Sequence, residues 1–341
     1  MKNLVIIGGG FAGALIAKKL ENKFNVTLID SKDYFEFTPS IIKALINPKY
    51  ISKIQIKHSD YLKNSKIVIN KVVSLKNNLV KLQDNKKISF DYLVISSGSS
   101  YNTPFKQTDI FIPQRIEKVE DYNSKIEKSN SISIIGAGVV GIETALDMKE
   151  KYKDKTITLI HNNQDILPRQ TEKTRNIVKR FLLKNKINLI LNERVINYKN
   201  NKLLTNNRNK FHSDFVLIAT GITPNSQFIE KKYLDDQKFI KVNEYLQFSN
   251  NIFAVGDVNN IKEEKTAQAA EKQALLTIKN LINLEKNNTL EKYIIRKRPM
   301  VISLGSKNAI FTYKNITFYG FIPAIMKKLI EFKTLFRYRN L

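Results

Sequence analysis

The sequence predicts an α/β fold with two similar parallel-sheet units, and three observations support that prediction. A short apolar strand, a glycine turn, a helix and a second strand follow one another near the start of the chain. The same order of elements recurs about 128 residues later. Short alternating segments separated by Asn-rich turns, which favour small antiparallel meanders, follow each unit. At 341 residues the chain is long enough for two domains.

The first unit ends at Asp30. Residues 4–7 are predicted as an apolar strand, residues 14–20 as a helix and residues 26–29 as a second strand. The turn before the helix reads Gly8, Gly9, Gly10, Phe11, Ala12 and Gly13. In this spacing the first glycine permits a tight turn, the second lets backbone approach a pyrophosphate, and the third lets helix and strand pack closely. The unit is therefore predicted to bind a dinucleotide, and its terminal acid to accept hydrogen bonds from a ribose.

Two further segments complete the first half. Residues 66–69 and 79–82 are short alternating runs and are predicted to belong to a small antiparallel meander. A buried strand then runs into a glycine turn at Ser97 and Gly98.

Residues 132–161 repeat the first unit, with a helix to about residue 151 and a strand that ends at His161. The glycine spacing is kept in the turn that contains Gly136, Gly138, Val139 and Gly141. The acid that would accept from a ribose 2′-hydroxyl is missing, and so is a clear arginine for a 2′-phosphate. The unit is predicted to bind a nicotinamide cofactor, with NADH and NADPH both open. His161 is either a cofactor contact or an ordinary residue at a strand end.

Later segments return to the pattern of the first half. One predicted strand runs into Gly221, and another runs into Gly256 and Asp257. A helix is predicted from residue 266 to residue 284, and a basic, aromatic-rich tail follows.

The composition limits the chemistry that side chains can perform. There is no cysteine, which excludes disulfides, thiolate metal sites and redox dithiols. The histidines, His58, His161 and His212, lack the spacing of metal ligands, so no metal site is predicted. The chemistry must therefore come from a bound cofactor. The net charge of +26 reflects either a general bias towards lysine or an acidic partner.

The N-terminal residues predict no secretory leader, and Lys2 at the second position excludes N-myristoylation. No run of 18 apolar residues occurs, so no bilayer-spanning segment is predicted. A cytoplasmic protein is expected, with peripheral contact to the cytoplasmic face of a membrane as an alternative.

The order of these motifs resembles that of the flavoproteins with two dinucleotide-binding domains. The chain is most similar to the branch that holds the ferroptosis-suppressor and apoptosis-inducing-factor-like oxidoreductases and the type II NADH:quinone dehydrogenases. The resemblance extends from residue 4 to about residue 336 and implies two Rossmann-like domains, small antiparallel β meanders and a short C-terminal segment. The implied bounds are 1–108 and 243–290 for the two parts of an FAD-binding domain, 109–242 for an NAD(P)-binding domain, and 291–341 for a basic amphipathic segment.

The resemblance also implies site residues. Those implied for FAD are Gly8, Gly10, Phe11, Ala12, Gly13, Asp30, Lys43, Lys71, Ser97, Gly98, Gly256, Asp257 and Ala269. Those implied for NAD(P)H are Gly136, Gly138, Val139, Gly141, His161 and Gly221. Lys43 is implied near the FAD phosphates, Lys71 at the adenine through its backbone, and Asp257 at the ribitol hydroxyls.

Four residues are implied near the reacting groups. Glu143 is expected near the nicotinamide and flavin, and Lys106 near the flavin. Gln268 and Gln273 are implied at the edge of a quinone pocket, on a helix whose N-terminus faces the flavin. Each has a plainer alternative as a solvated helix or loop residue. Relatives usually read Ala-Thr-Gly where this chain has Ser96, Ser97 and Gly98, which is a mild departure.

The tail is predicted to form an amphipathic helix. Its apolar face holds Ile322, Ile325, Met326, Leu329, Phe332 and Phe336, and cations lie off that face. The face suits a membrane interface, the protein itself or a second subunit, and the resemblance favours membrane docking.

The expected activity is hydride transfer from NAD(P)H to FAD, followed by two-electron transfer to a quinone or another small-molecule acceptor. One alternative acceptor is a soluble acidic carrier such as rubredoxin or ferredoxin. A nucleic-acid-binding protein is a third alternative, ranked last because the sequence contains no DNA-reading motif. A homodimer is also left open.

Overall fold

The computed structural model describes residues 1–101, 105–106 and 111–340. It contains two parallel sheets, as the repeated sequence pattern predicts. The first sheet is six-stranded, with the order Gln247–Ser249, Ile252–Ala254, Tyr92–Ile95, Asn3–Ile7, Asn25–Asp30 and Lys66–Ile69. All neighbours pair in parallel except the edge strand Gln247–Ser249. The chain therefore leaves this sheet after Ile95, builds the second unit and returns.

The second sheet is four-stranded and wholly parallel, with the order Asn188–Ile190, Thr156–Ile160, Ser131–Ile135 and Phe215–Ile218. The predicted fold of two Rossmann-like domains is confirmed by this pair of sheets. The predicted domain bounds stay a prediction, and the boundary between residues 108 and 109 lies outside the described residues.

Small antiparallel sheets flank the parallel ones. One meander belongs to each half, formed by Val72–Lys76, Leu79–Leu82 and Lys87–Ser89 and by Val195–Lys199, Lys202–Thr205 and Lys210–His212. Two-stranded ladders pair Tyr34–Glu36 with Gln55–Lys57 and Ser99–Ser100 with Thr223–Pro224. The second of these ladders joins the two halves.

One predicted strand was assigned to the wrong sheet. Lys66–Ile69 pairs in parallel with Asn25–Asp30, rather than within the meander. It is an edge strand with half-exposed side chains, so its alternating pattern does not distinguish it from a meander strand.

The helices are Phe11–Leu20, Ile41–Ile46, Ile51–Ile54, His58–Tyr61, Ile112–Lys128, Val139–Lys151, Glu172–Lys184, Ala267–Glu285 and Phe321–Arg339. Phe11–Leu20 is apolar on nearly all sides because it is buried between the first sheet and Ala267–Glu285. This packing places the N-termini of both helices beside the carboxyl ends of the first sheet. Among the described residues, no helix is long and apolar enough to cross a membrane.

A third three-stranded antiparallel sheet precedes the C-terminal helix and was not predicted. Its strands are Met300–Ser303, Ala309–Tyr313 and Ile316–Gly320. The C-terminal helix, Phe321–Arg339, packs on this sheet and then on the first half. Tyr338 anchors its far end, because its ring stacks on Phe35 with centroids 4.2 Å apart and its hydroxyl donates to the carbonyl of Phe11 at 2.7 Å.

Candidate active site

One cavity of about 3300 Å³ lies where the carboxyl ends of both sheets face each other. This edge is where open α/β sheets bind their ligands. Most of the predicted site residues line the cavity: Gly8, Gly10, Phe11, Ala12, Asp30, Lys71, Ser97, Gly98, Lys106, Gly136, Gly138, Val139, Glu143, His161, Gly221, Gly256, Asp257 and Gln268.

Each of the three spaced glycines in the first turn is required for a different structural reason. Gly8 has φ +96°, and a Cβ there would lie 2.4 Å from the carbonyl oxygen of Ser96. A Cβ on Gly13 would lie 1.8 Å from the carbonyl oxygen of Gly8, so only glycine lets the helix pack this close. A Cβ on Gly10 would meet nothing within 4 Å. The middle glycine therefore faces open space at the N-terminus of a helix, where a pyrophosphate fits.

The second glycine turn repeats this geometry. A Cβ on Gly136 would lie 2.4 Å from the carbonyl oxygen of Ala219, and one on Gly141 would lie 1.8 Å from that of Gly136. Gly138 faces open space like its counterpart in the first turn. Each of the two turns therefore has room for the phosphates of one dinucleotide.

Asp30 is buried and tied to the first turn. It accepts hydrogen bonds from the backbone N–H of Gly9 at 2.6 Å and of Lys32 at 3.1 Å, and Nε2 of His58 lies 3.3 Å away. Burial alone would raise the pKa of Asp30, but the His58 imidazole, Lys32 and the Gly9 amide outweigh burial and hold it below the usual value. The carboxylate is thus charged and fixed beside the cavity. His58, itself held by Tyr61 at 2.6 Å, has no recognisable sequence signal for this role.

Asp257 follows the strand Ile252–Ala254 and also lines the cavity. It accepts a hydrogen bond from Ser99 Oγ at 2.7 Å, and Lys106 Nζ lies 3.6 Å from the carboxylate. Burial lowers the pKa of Lys106, and the charge of Asp257 opposes part of that effect. The structure therefore brings together two residues that the resemblance placed near the flavin.

Gln273 does not line the cavity and is a correction to the predicted pocket edge. Its Oε1 accepts from the N–H of Gly256 and from Nδ2 of Asn259, both at 2.7 Å, and its Nε2 donates to Glu263 at 2.7 Å. With 1% exposure it is a buried support of the turn that carries Asp257.

Gln268, on the first turn of the same helix, is exposed and does line the cavity. Ala269 is buried behind it and does not line the cavity, and its N–H donates to the capping hydroxyl of Thr266 at 3.2 Å. The open end of this helix is therefore formed by Thr266, Ala267 and Gln268.

Lys43 also lies away from its predicted place. It does not line the cavity, and its ammonium group pairs with Glu331 of the C-terminal helix and lies over the ring of Tyr50. The charge of Lys43 therefore stabilises the packing of the C-terminal helix. Lys71 does line the cavity, and its backbone carbonyl accepts from the N–H of Gln83 at 2.8 Å.

The turn at Ser97 and Gly98 links the two halves. Asn225 donates its N–H to the carbonyl of Gly98 at 3.0 Å, and Ser97 Oγ donates to the carbonyl of Asn225 at 2.7 Å. Ser96, the departure from the usual alanine, donates its hydroxyl to Gly8 at 2.9 Å and so secures the first glycine turn.

Glu143 lies on the cavity wall with 7% exposure. Its Oε1 accepts from the N–H of Ser303 at 2.7 Å and pairs with Lys327 of the C-terminal helix. Both partners lie in the tail, more than 150 residues further along the chain, so no local sequence signal could have identified them.

The strand end that carries His161 also borders the cavity. Nε2 of His161 is buried without a hydrogen-bond partner in the described part of the chain, and burial lowers the pKa of this imidazole against the opposing charge of Asp165. Gly221 has φ +112°, a conformation that favours glycine. In the described ranges, no group of three histidine or acidic side chains is arranged to hold a metal.

The C-terminal helix has two different faces. Its inner face contributes Lys327, Ile330, Glu331 and Thr334 to the cavity. Its outer face exposes a stripe of large apolar side chains: Phe321, Ile322, Ile325, Leu329, Phe332 and Phe336. The predicted apolar face is therefore exposed, except that Met326 at its border is half-buried.

Comparison with known families identifies one match that covers most of the chain. The model described as pyridine nucleotide-disulphide oxidoreductase matches residues 2–274. This range contains both glycine turns and Asp257.

Curated relatives align over nearly the full chain. Apoptosis-inducing factor homolog B of Dictyostelium discoideum is 29% identical, over 98% of this chain and 95% of that protein. Ferroptosis suppressor protein 1 of Homo sapiens is 28% identical, over 98% and 93%.

Two solved structures share the fold. The sulfide:quinone oxidoreductase of Aquifex aeolicus superposes with a TM-score of 0.84 at 22% identity, over 99% of this chain and 92% of that one. NDH2 of Plasmodium falciparum, solved in complex with NADH, gives 0.84 at 17% identity, over 99% and 96%.

Proposed function

Because the chain belongs to the pyridine nucleotide-disulphide oxidoreductase family and is an oxidoreductase that uses FAD and NAD(P)H, we propose that its electron acceptor is a quinone. The predicted resemblance to the ferroptosis-suppressor and apoptosis-inducing-factor-like proteins is confirmed by the curated relatives. The absence of cysteine excludes disulfide reduction by side chains of these 341 residues.

The C-terminal helix carries this proposal. One face of it lines the cavity through Lys327, Ile330 and Thr334, while the opposite face exposes the apolar stripe. A single element thus connects the reaction cavity with a surface suited to an apolar phase. That arrangement fits an acceptor which is itself dissolved in lipid. The likeness in fold to a sulfide:quinone oxidoreductase also supports a quinone.

FAD, when bound, takes a hydride from the nicotinamide and delivers two electrons to an acceptor. The first glycine turn and Asp30 would hold the adenosine diphosphate half of FAD, and Asp257 would accept hydrogen bonds from its ribitol. The second glycine turn would hold the NAD(P)H pyrophosphate at the start of Val139–Lys151. The N-terminus of Ala267–Glu285 would stabilise negative charge on the flavin.

We assign the apolar stripe to a membrane surface that contains anionic lipid. Lys328 and Lys333 are exposed on either side of the stripe, where they would meet headgroups. A second copy of the chain is the other occupant that an apolar face of this size admits. The membrane is favoured because the stripe is narrow, flanked by cations and next to the cavity.

A soluble acidic carrier is the second candidate acceptor, and the exposed cations favour it. Arg169, Arg194, Arg296 and Lys297 line the cavity, are exposed and make no ion pair within the described part of the chain. They would attract an acidic protein to the cavity mouth. The same charges attract the anionic dinucleotide, which is why we rank this acceptor second.

The test uses the purified, FAD-loaded full chain with NADH or NADPH. We expect rapid reduction of a short-chain quinone and slow reduction of an acidic ferredoxin. A long-chain quinone should be reduced only in liposomes that contain anionic lipid. Reduction of the ferredoxin alone would contradict the proposal.

A pair of variants separates docking from chemistry. Leu329→Glu combined with Phe332→Glu places two charges in the stripe and should abolish liposome binding while short-chain quinone reduction is kept. Leu183→Glu is the matched control, because Leu183 is an isolated apolar residue with 80% exposure. Gel filtration tests the other occupant, since loss of a dimer in the double variant would assign the stripe to a second copy.

A further inference from the structure

Three acidic side chains share one face of the helix Val139–Lys151. Glu143, Asp147 and Glu150 are spaced by four and three residues, so they follow one another along the helix surface. This face meets the C-terminal sheet and helix. Glu143 binds the backbone of Ser303 and pairs with Lys327, and Glu150 binds Ser306.

Asp147, between the two, is held differently from its neighbours. In the described ranges it accepts no hydrogen bond, and it is half-buried beside the C-terminal helix. The charged groups that face it are Glu143 and Glu150 from its own helix, Lys327 from the C-terminal helix and Lys43 from Ile41–Ile46. Burial and the Glu143 charge raise the pKa of Asp147 to about 7, against the opposing charge of Lys327.

Asp147 also lies directly behind a residue of the cavity wall. Glu143 is one helical turn away and borders the cavity with 7% exposure. A proton that moves from the half-buried Asp147 to the cavity therefore has to pass only one other carboxylate, that of Glu143.

Quinone reduction creates a demand for such a path. The hydride from NAD(P)H supplies two electrons and one proton, whereas conversion of a quinone into a quinol needs two electrons and two protons. One further proton must enter the cavity from water in each turnover. A group that is half protonated near neutral pH is suited to deliver it.

We propose that Asp147 holds this second proton and passes it through Glu143 to the quinone oxygen. The O–H bond of Asp147 breaks as the proton moves to the Glu143 carboxylate, which then releases it to the reduced quinone. Asp147 regains a proton from water on its exposed side, so neither side chain is oxidised or reduced. Lys327 pairs with Glu143 and so holds its carboxylate in place at the cavity wall. The inference rests on the proposed quinone reduction.

The experiment compares a proton-consuming acceptor with one that takes electrons only. Initial rates are measured from about pH 5 to pH 9 with a short-chain quinone and with ferricyanide. In Asp147→Asn the ratio of quinone to ferricyanide turnover should fall on the order of tenfold, and the inflection near pH 7 should vanish. Asp147→Glu should restore both. Asp154→Asn is the matched control, because Asp154 is exposed beyond the end of the same helix.

A second readout needs no turnover. The carboxylic acid carbonyl band in the infrared spectrum should titrate near pH 7 in the wild type and in Asp154→Asn, and be missing in Asp147→Asn. An unchanged turnover ratio and pH profile in Asp147→Asn, or no such band in the wild type, would overturn the inference. A wild type that reduces ferricyanide but no quinone would instead refute the proposed function.

Discussion

Replacement of Gln273 by alanine tests the reassignment of this residue from the pocket edge to a buried support. In the wild type its Oε1 accepts from the N–H of Gly256 and from Asn259 Nδ2. Both donors are buried. The substitution leaves the Gly256 N–H without an acceptor and leaves Asn259 Nδ2 with the carbonyl of Ala254 alone. Glu263, the third partner of Gln273, keeps its hydrogen bonds from Tyr293 and Arg298 in the variant.

The expected loss follows mainly from the Gly256 N–H. A buried donor left unpaired costs about 1–3 kcal/mol, so the free energy of unfolding should fall by about 1–3 kcal/mol. FAD retention should fall with it, because the unsupported turn carries Asp257. Gln268→Ala, on the exposed side of the same helix, should change stability by no more than about 0.5 kcal/mol.

Urea unfolding with linear extrapolation measures the free energy, and visible flavin absorbance measures retention. If Gln273→Ala and Gln268→Ala unfold at the same urea concentration and retain equal flavin, the support role is wrong. A loss of quinone turnover at full stability and flavin content would return Gln273 to the pocket edge.

Three further predictions concern the cofactor sites and the acidic helix. Gly138→Val should weaken NAD(P)H binding at least about tenfold by calorimetry with an unchanged melting temperature, because a Cβ there meets no protein atom within 4 Å; tight binding would contradict the phosphate role. Asp257→Ala should lose much of its bound FAD, measured by flavin absorbance after desalting, and full flavin content would count against the ribitol contact. The folded-state pKa of Asp147, about 7, lies above its usual value of 3.8, so the folded state holds the proton longer and loses stability as pH rises from about 4 to 7. Asp147→Asn should remove that loss, a gain of at most about 4 kcal/mol at pH 8 in urea unfolding, and identical pH dependence in both proteins would refute it.

The sequence predicts the parts of this molecule that depend on local order. Each glycine turn is specified by contacts within the unit, so the spacing alone identifies it. A Cβ on Gly13 or on Gly141 would lie 1.8 Å from the carbonyl oxygen of the first glycine of its turn. The strands next to these turns are continuous apolar runs, as expected for buried parallel strands. For this reason the two βαβ units and their glycine turns are predictable from the sequence alone.

The remaining residues depend on contacts between distant segments. Whether Lys43 faces the cavity depends on Glu331, 288 residues further along the chain. The roles of Gln268 and Gln273 depend on which side of their helix meets the rest of the protein. The C-terminal sheet was not predicted, because the apolar runs in Met300–Ser303 and Ala309–Tyr313 are short and lie within a basic, aromatic-rich segment.

The hydroxyl of Tyr338 reaches the Phe11 carbonyl across 327 residues of sequence, and this bears on how the chain is made. The NAD(P) half draws its sheet from the continuous stretch between Ser131 and Ile218 and can become compact while the ribosome is still adding residues. The first sheet cannot be completed until Ile252–Ala254 has been synthesised. The hydrogen bond between its glycine turn and Tyr338 can form only after that. We therefore expect the unit that is translated first to be the one that matures last.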